Sequence, residues 1–236
     1  MIISKKNKKV SLNRYRLQIV FVISILYISN VTSNSRYVAA NGLDTDPGTI
    51  TQPYKTITKA VSVIAAGDTI FVRSGTHTYS STITISKIGS GTSRYYLFAY
   101  PGERPLLDFS SESMGSKGIN LTGGYWYVKG FDVKGAGDNG IYIGGSNNKI
   151  ELCVLYENRD SGLRLSGGAS NNQIINCDSY FNADPTDYGD ADGFAVKMDV
   201  GSGNYFYGCR SWQNVDDGWD GYLRGADDVS TTVENC

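Results

Sequence analysis

The stretch from Asn214 to Tyr222, NVDDGWDGY, places three carboxylates within five residues: Asp216, Asp217 and Asp220. Like charges this close repel one another unless a positive group lies among them. Oxygen ligands without nearby histidine or cysteine suit a hard cation, and Ca²⁺ accepts irregular sites of roughly six to eight oxygens. The segment therefore indicates a calcium site, provided that other parts of the chain supply further oxygens.

Each aspartate also has a simpler interpretation. Asp-Gly is a common turn dipeptide, because the aspartate side chain caps its own backbone and glycine adopts positive φ. Asp138 and Asp160 share the repeat position of Asp216, which favours a turn role for Asp216. Several carboxylates at one corner without a counter-ion are nevertheless unfavourable, so the metal interpretation depends on how many converge. The only histidine, His77, lies far upstream, and we interpret it as a surface residue.

The elements that must position these aspartates are repeated along the second half of the chain. Segments 147–165, 171–198 and 203–219 align with one another, and a partial copy follows at 231–236. The aligned positions are a cysteine (Cys153, Cys177, Cys209, Cys236), an asparagine (Asn158, Asn182, Asn214) and a glycine (Gly118, Gly140, Gly162, Gly193, Gly218). A short alternating apolar run follows each glycine, and the glycines are spaced by 22, 22, 31 and 25 residues.

This period predicts an all-β chain folded as a parallel β-helix, whose coils stack ~4.8 Å apart. We expect apolar ladders from the inward residues of each run and a hydrogen-bonded ladder from the asparagines at a turn. The competing solenoid, a leucine-rich repeat, lacks its leucine spacing here. The stacked cysteines are expected to point inward as thiols, although disulfides between neighbouring coils remain an alternative.

Alignment on the glycines brings a fourth aspartate to the cluster. The residues before the glycines are Lys117, Asn139, Ser161, Asp192 and Asp217, and the residues two after them are Asn120, Tyr142, Arg164, Ala195 and Asp220. Asp192 therefore lies above Asp217 on the adjacent coil, and Asp192, Asp216, Asp217 and Asp220 converge at one corner. Between its asparagine and its glycine the coil of Asn182 has ten residues, 183–192, where the coils of Asn158 and Asn214 have three, so an insertion of seven residues lies beside Asp192. Insertions in a solenoid often mark its binding face.

The N-terminal residues 1–33 are predicted to be a secretory signal peptide. A basic segment precedes the apolar run 17–28 and small residues follow it; this run is shorter than the ~20 residues of a membrane span. A signal anchor is the alternative. Six of the 22 basic residues and none of the 23 acidic ones lie in 1–33, which leaves 16 against 23, a formal charge of −7. We therefore expect export, a monomer, and no nucleic-acid or membrane partner after the signal is removed.

Residues 34–236 are predicted to form one β-helix domain. A short amphipathic helix, marked by the apolar stripe Ile57, Ala60, Val61 and Ile64, would cap its open N-terminal end. The sequence stops at Cys236, partway through a coil, and we interpret the chain as lacking the C-terminal coils of a longer protein.

The segments 190–204 and 216–220, DADGFAVKMDVGSGN and DDGWD, resemble the calcium-site region of pectate lyases in polysaccharide lyase family 9. Segment 41–77 resembles the N-terminal entry of the same proteins, and the resemblance covers residues 36–236. It implies a right-handed parallel β-helix with Asp192, Asp216, Asp217 and Asp220 as calcium ligands. It also implies a catalytic base lysine downstream of the last ligand, which we expect beyond residue 236.

The resemblance further implies that pectate (polygalacturonate) or a related polyuronate is cleaved by β-elimination, with Ca²⁺ offsetting the charge that develops on the uronate. Lys197, Arg164 and Arg224 are candidate substrate contacts. Lys197 occupies an outward position and is a weaker candidate for the base; the simpler interpretation is a surface lysine. Two other functions stay open: a glycoside hydrolase on the same fold, and a non-catalytic β-helix for adhesion or carbohydrate binding.

Overall fold

Short strands separated by bends follow one another along the chain. The computed structural model describes residues 33–185, 189–223 and 229–236. Within these ranges the elements are β1 (Ser35–Val38), α1 (Ile57–Val63), β2 (Thr69–Val72), β3 (Thr76–Thr78), β4 (Ile83–Ile85), β5 (Tyr95–Ala99), β6 (Leu106–Asp108), β7 (Ile119–Leu121), β8 (Trp126–Lys129), β9 (Asp132–Lys134), β10 (Ile141–Ile143), β11 (Lys149–Glu151), β12 (Val154–Tyr156), β13 (Leu163–Leu165), β14 (Gln173–Ile175), β15 (Asp178–Tyr180), β16 (Phe194–Val196), β17 (Asn204–Tyr207), β18 (Arg210–Trp212), β19 (Trp219–Asp220) and β20 (Thr231–Glu234).

The strands form three parallel sheets, to which successive coils contribute one strand each. The first sheet has the order β1-β2-β5-β8-β11-β14-β17-β20, the second β3-β6-β9-β12-β15-β18, and the third β4-β7-β10-β13-β16-β19. From β2 to β17, each strand therefore pairs with the third strand after it, which is its equivalent one coil later, and β1 pairs with β2 at the start of the first sheet. The prediction of a parallel β-helix is confirmed.

Alternation along these strands explains why the sequence folds this way. In the third sheet, each strand from β4 to β16 begins and ends with a buried apolar side chain, such as Ile141 and Ile143 in β10 and Leu163 and Leu165 in β13. The residue between them faces outward, except that Ala195 of β16 is also buried. The inward side chains of successive coils stack into one continuous apolar core, as the repeat predicts.

Two asparagine ladders hold the bends of successive coils together. In the predicted one, the side-chain amide of Asn158 donates to Asn182, which in turn donates to Asn214, at 2.9 and 2.8 Å. A second ladder precedes the first sheet and consists of Asn148, Asn172 and Asn204. These buried amides satisfy backbone groups that a bend leaves without strand partners.

Three of the four cysteines and the single histidine are buried inside the coils. Cys153, Cys177 and Cys209 are free and buried at one repeat position, whereas Cys236 is free and exposed. His77 is 3% exposed, so its interpretation as a surface residue was wrong. It occupies the inward position of β3, and its Nε2 lies 2.9 Å from the carbonyl oxygen of Arg73.

The predicted amphipathic helix is present as α1, at the N-terminal end of the coils. The side chain of Thr56 caps it by accepting from the N–H of Lys59 at 3.1 Å. Ile57, Ala60 and Val61 are buried, and the helix contacts β1, β2 and β4. The proposed signal segment lies almost wholly outside the described residues, among which the structure contains no helix long and apolar enough to cross a membrane.

Candidate metal centre

The acidic corner is formed where the strands β16 and β19 begin. Phe194 of β16 pairs with Trp219 of β19, and the glycine before each of them, Gly193 and Gly218, follows one of the aspartates. A β-carbon on Gly193 would lie 1.9 Å from the Ser211 hydroxyl oxygen. Glycine is therefore required here for close packing, and the aspartate before it is held at a fixed point of the corner.

Asp192 is the buried member of the cluster, with no exposed surface. Its Oδ2 accepts hydrogen bonds from the hydroxyl of Ser161 and the ammonium of Lys197, both at 3.0 Å. Its Oδ1 accepts from the backbone N–H of Asp217 at 3.3 Å. Burial raises the pKa of Asp192, and Lys197 and Ser161 oppose that shift by stabilising the charged form.

Three carboxylates meet at a distance suited to a cation. One oxygen from each of Asp192, Asp216 and Asp217 lies within 4.8 Å of the other two. Asp216 and Asp217 are exposed, and partial desolvation and the neighbouring charge of Asp217 raise the pKa of Asp216. An all-oxygen donor set of this kind fits Ca²⁺. The sequence-predicted convergence of residue 192 with 216 and 217 is thus present in the structure.

Lys197 supplies a positive charge inside the cluster. It is only 3% exposed, which excludes the interpretation as an ordinary surface lysine. Its Nζ lies 2.6 Å from Asp220, 3.0 Å from Asp192 and 3.4 Å from Asp190. The hydrogen bonds and charges of Asp220 and Asp192 more than offset burial and raise the pKa of Lys197 well above its usual value. An ammonium held between two carboxylates is stabilised in its protonated form.

Asp220 lies beside the three converging carboxylates and is joined to them through Lys197. Its Oδ1 accepts from the backbone N–H of Tyr222 at 2.8 Å, and its Oδ2 contacts Lys197. Its role as a metal ligand therefore stays a prediction. A cleft of about 270 Å³ opens at this corner, lined by Asp216, Asp217, Asp220, Lys197 and Tyr222 among others.

Arg164 lies on the same outward row of the third sheet as Asp220. The register joins Arg164 of β13 to Ala195 of β16, and Ala195 to Asp220 of β19. Arg164 is half-buried, its Nε has no hydrogen-bond partner, and it forms no ion pair with the residues that the structure describes. A guanidinium without a partner can bind an anion. Arg224, the other arginine candidate, lies outside the described residues.

Two residues of the site were missed by sequence reasoning. Ser161 occupies the repeat position of Asp192 one coil earlier and donates to it, so the alignment carried a signal for this contact. Asp190 belongs to the insertion and contacts Lys197, and no repeat position marks it. Trp219 stacks on the core residue Phe194, with ring centroids 4.9 Å apart, whereas Tyr222 is 62% exposed.

The chain is similar to one family of β-helix proteins and to several curated pectate lyases. The family model described as "Pel9A-like, right handed beta helix region" matches residues 36–236. Pectate lyase L of Paenibacillus polymyxa (strain SC2) is 50% identical over 209 residues, which are 83% of this chain and 46% of that protein. Pectate lyase L of Dickeya dadantii (strain 3937) is 38% identical over 200 residues, 80% of this chain and 47% of that protein. The chain thus spans about half the length of these relatives.

Solved structures agree on the architecture. The crystal structure of pectate lyase Pel9A matches with a TM-score of 0.77 at 35% identity, over 87% of this chain and 55% of that one. A rhamnogalacturonan lyase matches with a TM-score of 0.75 at 27% identity, over 86% and 56%. The predicted right-handed coiling of the β-helix is confirmed by the description of the matching family model.

Proposed function

Because the chain belongs to the Pel9A-like right-handed β-helix family, we propose that it functions as a secreted, calcium-dependent polysaccharide lyase. The proposed substrate is pectate or a related polyuronate, cleaved by β-elimination. The names of its relatives, pectate lyases and a rhamnogalacturonan lyase, support this class of substrate. The observation that carries the proposal is the convergence of carboxylates from two neighbouring coils.

The proposed calcium ligands are Asp192, Asp216, Asp217 and Asp220. The first three already lie within reach of one ion, and the two exposed ones leave coordination positions open towards solvent. Calcium bound there would neutralise a uronate carboxylate and so stabilise the negative charge that develops when the C5 proton leaves. This also explains how a chain of net negative charge binds a polyanion.

Lys197 has a positioning role in this proposal. Its ammonium holds Asp192 and Asp220 in fixed orientations and offsets part of the repulsion among the carboxylates. Because its pKa is raised, it is a poor acceptor of the C5 proton, and the base is assigned to a lysine beyond residue 236. Arg164, about two strand spacings or ~10 Å from Asp220 along the outward row, is positioned to pair with a second uronate of the same polymer.

Calcium titration by isothermal calorimetry tests the proposal, with Asp217→Ala as the variant. Asp217 is exposed, so the substitution leaves the coil folded, and we expect calcium binding to be abolished. Asp46→Ala, on the N-terminal loop, is the matched control and should bind calcium as the wild type does. Undiminished calcium affinity in Asp217→Ala would show that the ligand assignment is wrong.

The product distinguishes the proposed lyase from a hydrolase. β-Elimination leaves a C4–C5 double bond that absorbs in the ultraviolet, whereas hydrolysis of the same linkage does not. Calcium-dependent retention on polygalacturonate without any product would instead indicate a binding module. Since the base is assigned beyond residue 236, the decisive readout for this chain is calcium and polymer binding, and product formation is tested on a chain that extends further.

A further inference from the structure

A second groove lies at a different corner of the coils, where the first sheet bends into the second. A cleft of about 520 Å³ is lined by Phe98, Tyr100 and Tyr127, by the cations of Arg104 and Lys129, and by the carboxylate of Glu103, which is paired with Arg73 at 2.7 Å. It is larger than the cleft beside the carboxylates, which has about 270 Å³. Volumes of this size are typical of ligand sites lined by aromatic rings and a few polar groups.

The groove extends across several coils. A second cleft of about 320 Å³ shares Arg104 and Leu152 with the first and continues past Asn176 to Arg210. The two clefts together follow the stacked bends, where the backbone turns at one residue with positive φ in each coil: Gly130, Leu152, Asn176 and Gly208. We call this feature the corner groove. A groove that runs from coil to coil suits a linear polymer better than a compact ligand.

One end of the corner groove is an aromatic surface on the outside of the first sheet. Phe98 and Tyr127 meet edge to face with centroids 4.8 Å apart, and Phe71 lies 5.9 Å from Tyr100. The inward positions of these strands are filled by Ile70, Leu97 and Val128, so the rings are additional to the core. Aromatic rings offer flat apolar faces with a polar tip, which suits the mixed surface of a sugar.

The charges of the corner groove favour an anionic ligand. In each ion pair along it, the basic side chain is the more exposed partner: 46% against 27% for Arg104 and Asp132, and 72% against 17% for Arg210 and Asp178. Lys129 is 39% exposed and only loosely paired, 3.7 Å from Glu151. Solvent therefore meets guanidinium and ammonium groups here, although the mature chain is acidic overall.

We propose that the corner groove is a second, metal-independent binding site for a linear acidic polysaccharide. The rings pack against sugar faces at one end, and Arg104, Lys129 and Arg210 pair with uronate carboxylates along its length. The ligand class rests on the proposed function, whereas the site itself does not involve any of the four aspartates. A polymer held here stays near the chain while the acidic corner binds and releases other segments.

Retention on immobilised polygalacturonate in the presence of EGTA tests this site, because the chelator removes the calcium that the acidic corner needs. The wild type should be retained, and Arg104→Glu with Lys129→Glu should weaken retention about tenfold or more through loss of two charge-assisted contacts. Lys55→Glu with Lys59→Glu, two cations outside the groove, is the control of equal charge change and should retain the wild-type behaviour.

Two further variants distinguish polymer binding in the corner groove from polymer binding at the acidic corner. Tyr100→Ala should weaken retention while leaving the charges unchanged, and Asp217→Ala should bind the polymer in EGTA as the wild type does. If the Arg104 and Lys129 double variant is retained as well as its control, or if Asp217→Ala alone loses retention, the proposed groove is wrong. Calcium calorimetry on the same proteins reports on the acidic corner independently, so failure of one site does not imply failure of the other.

Discussion

The ammonium of Lys197 lies 3.0 Å from a carboxylate oxygen of Asp192, and both side chains are buried. Burying either charge alone would be costly, so each residue depends on the other. The carboxylate of Asp192 also converges with the exposed carboxylates of Asp216 and Asp217. The ion pair therefore fixes one buried carboxylate in the position from which the metal site is proposed to be built.

Lys197→Met should destabilise the chain by about 3 kcal/mol in EGTA, because Asp192 is then left as a buried charge without a counter-ion. Urea unfolding measures this loss. Lys55→Met, at an exposed position, is the control and should change stability by no more than about 0.5 kcal/mol. Adding Asp192→Asn to Lys197→Met should restore part of the stability. Equal losses for Lys197→Met and Lys55→Met would contradict the pairing.

The asparagine ladder gives a second stability prediction. Asn182 accepts from the backbone and side-chain N–H groups of Asn158 and donates to Asn214 and Ser179. Asn182→Ala leaves buried donors of Asn158 without an acceptor, and we expect a loss of about 2 kcal/mol in the free energy of unfolding. Asn41→Ala, on an exposed loop, is the comparison. Similar unfolding midpoints for both variants would show that the ladder contributes little.

Glu112 predicts a pH dependence of stability. It is 7% exposed, and neither of its carboxylate oxygens has a hydrogen-bond partner among the residues that the structure describes. Burial, with a smaller contribution from the negative charge of Asp138, raises the pKa of Glu112 to about 7. The nearby N–H of Gly137 opposes this rise, although this group is not within hydrogen-bond geometry of the carboxylate. The folded state binds this proton more tightly than the unfolded state, so protonation of Glu112 stabilises the fold. This contribution to the free energy of unfolding is fully present below about pH 4.3 and is lost as the pH rises through about 7.

Glu112→Gln removes that dependence, since an amide does not ionise. Relative to the wild type, the variant should gain stability on the order of 2 kcal/mol above pH 7 and little near pH 4. Thermal unfolding across this range measures the difference. Glu157→Gln, at a 56% exposed side chain, serves as the control and should follow the wild type. An unchanged pH profile for Glu112→Gln would show that this carboxyl is not shifted.

Thiol labelling tests the cysteine stack. Cys236 is exposed, whereas Cys153, Cys177 and Cys209 are fully buried, so iodoacetamide should modify one of the four thiols of the folded chain and all four after unfolding. Mass spectrometry counts the modifications, and Cys236→Ser should abolish the native reaction. Fewer than four modified thiols in the unfolded, unreduced chain would instead indicate disulfides between coils.

Most of the fold could be predicted from the sequence because its repeat positions are visible in the chain. Positions occupied by Gly140, Gly162 and Gly193 recur because any side chain there would collide with the neighbouring coil, and such a requirement is visible in one sequence. The ladder of Asn148, Asn172 and Asn204 has the same kind of spacing and was recoverable from it.

The contacts of Lys197 could not be predicted in the same way. Lys197 directly follows β16, where the alternation of the strand predicts an outward side chain, yet its ammonium is held by ion pairs with Asp190, Asp192 and Asp220. The inward–outward alternation of a strand predicts the direction of a side chain but not the contacts at its end. The burial of a long, flexible lysine beside an insertion therefore could not be predicted from the sequence.

The most direct test of the acidic corner is the anomalous diffraction of crystals grown with calcium. We predict a single strong peak at about 2.3–2.6 Å from oxygens of Asp192 on one coil and of Asp216 and Asp217 on the next. No peak at this corner, or an ion that is ligated by Asp216 and Asp217 but not by Asp192, would contradict a metal site shared between coils.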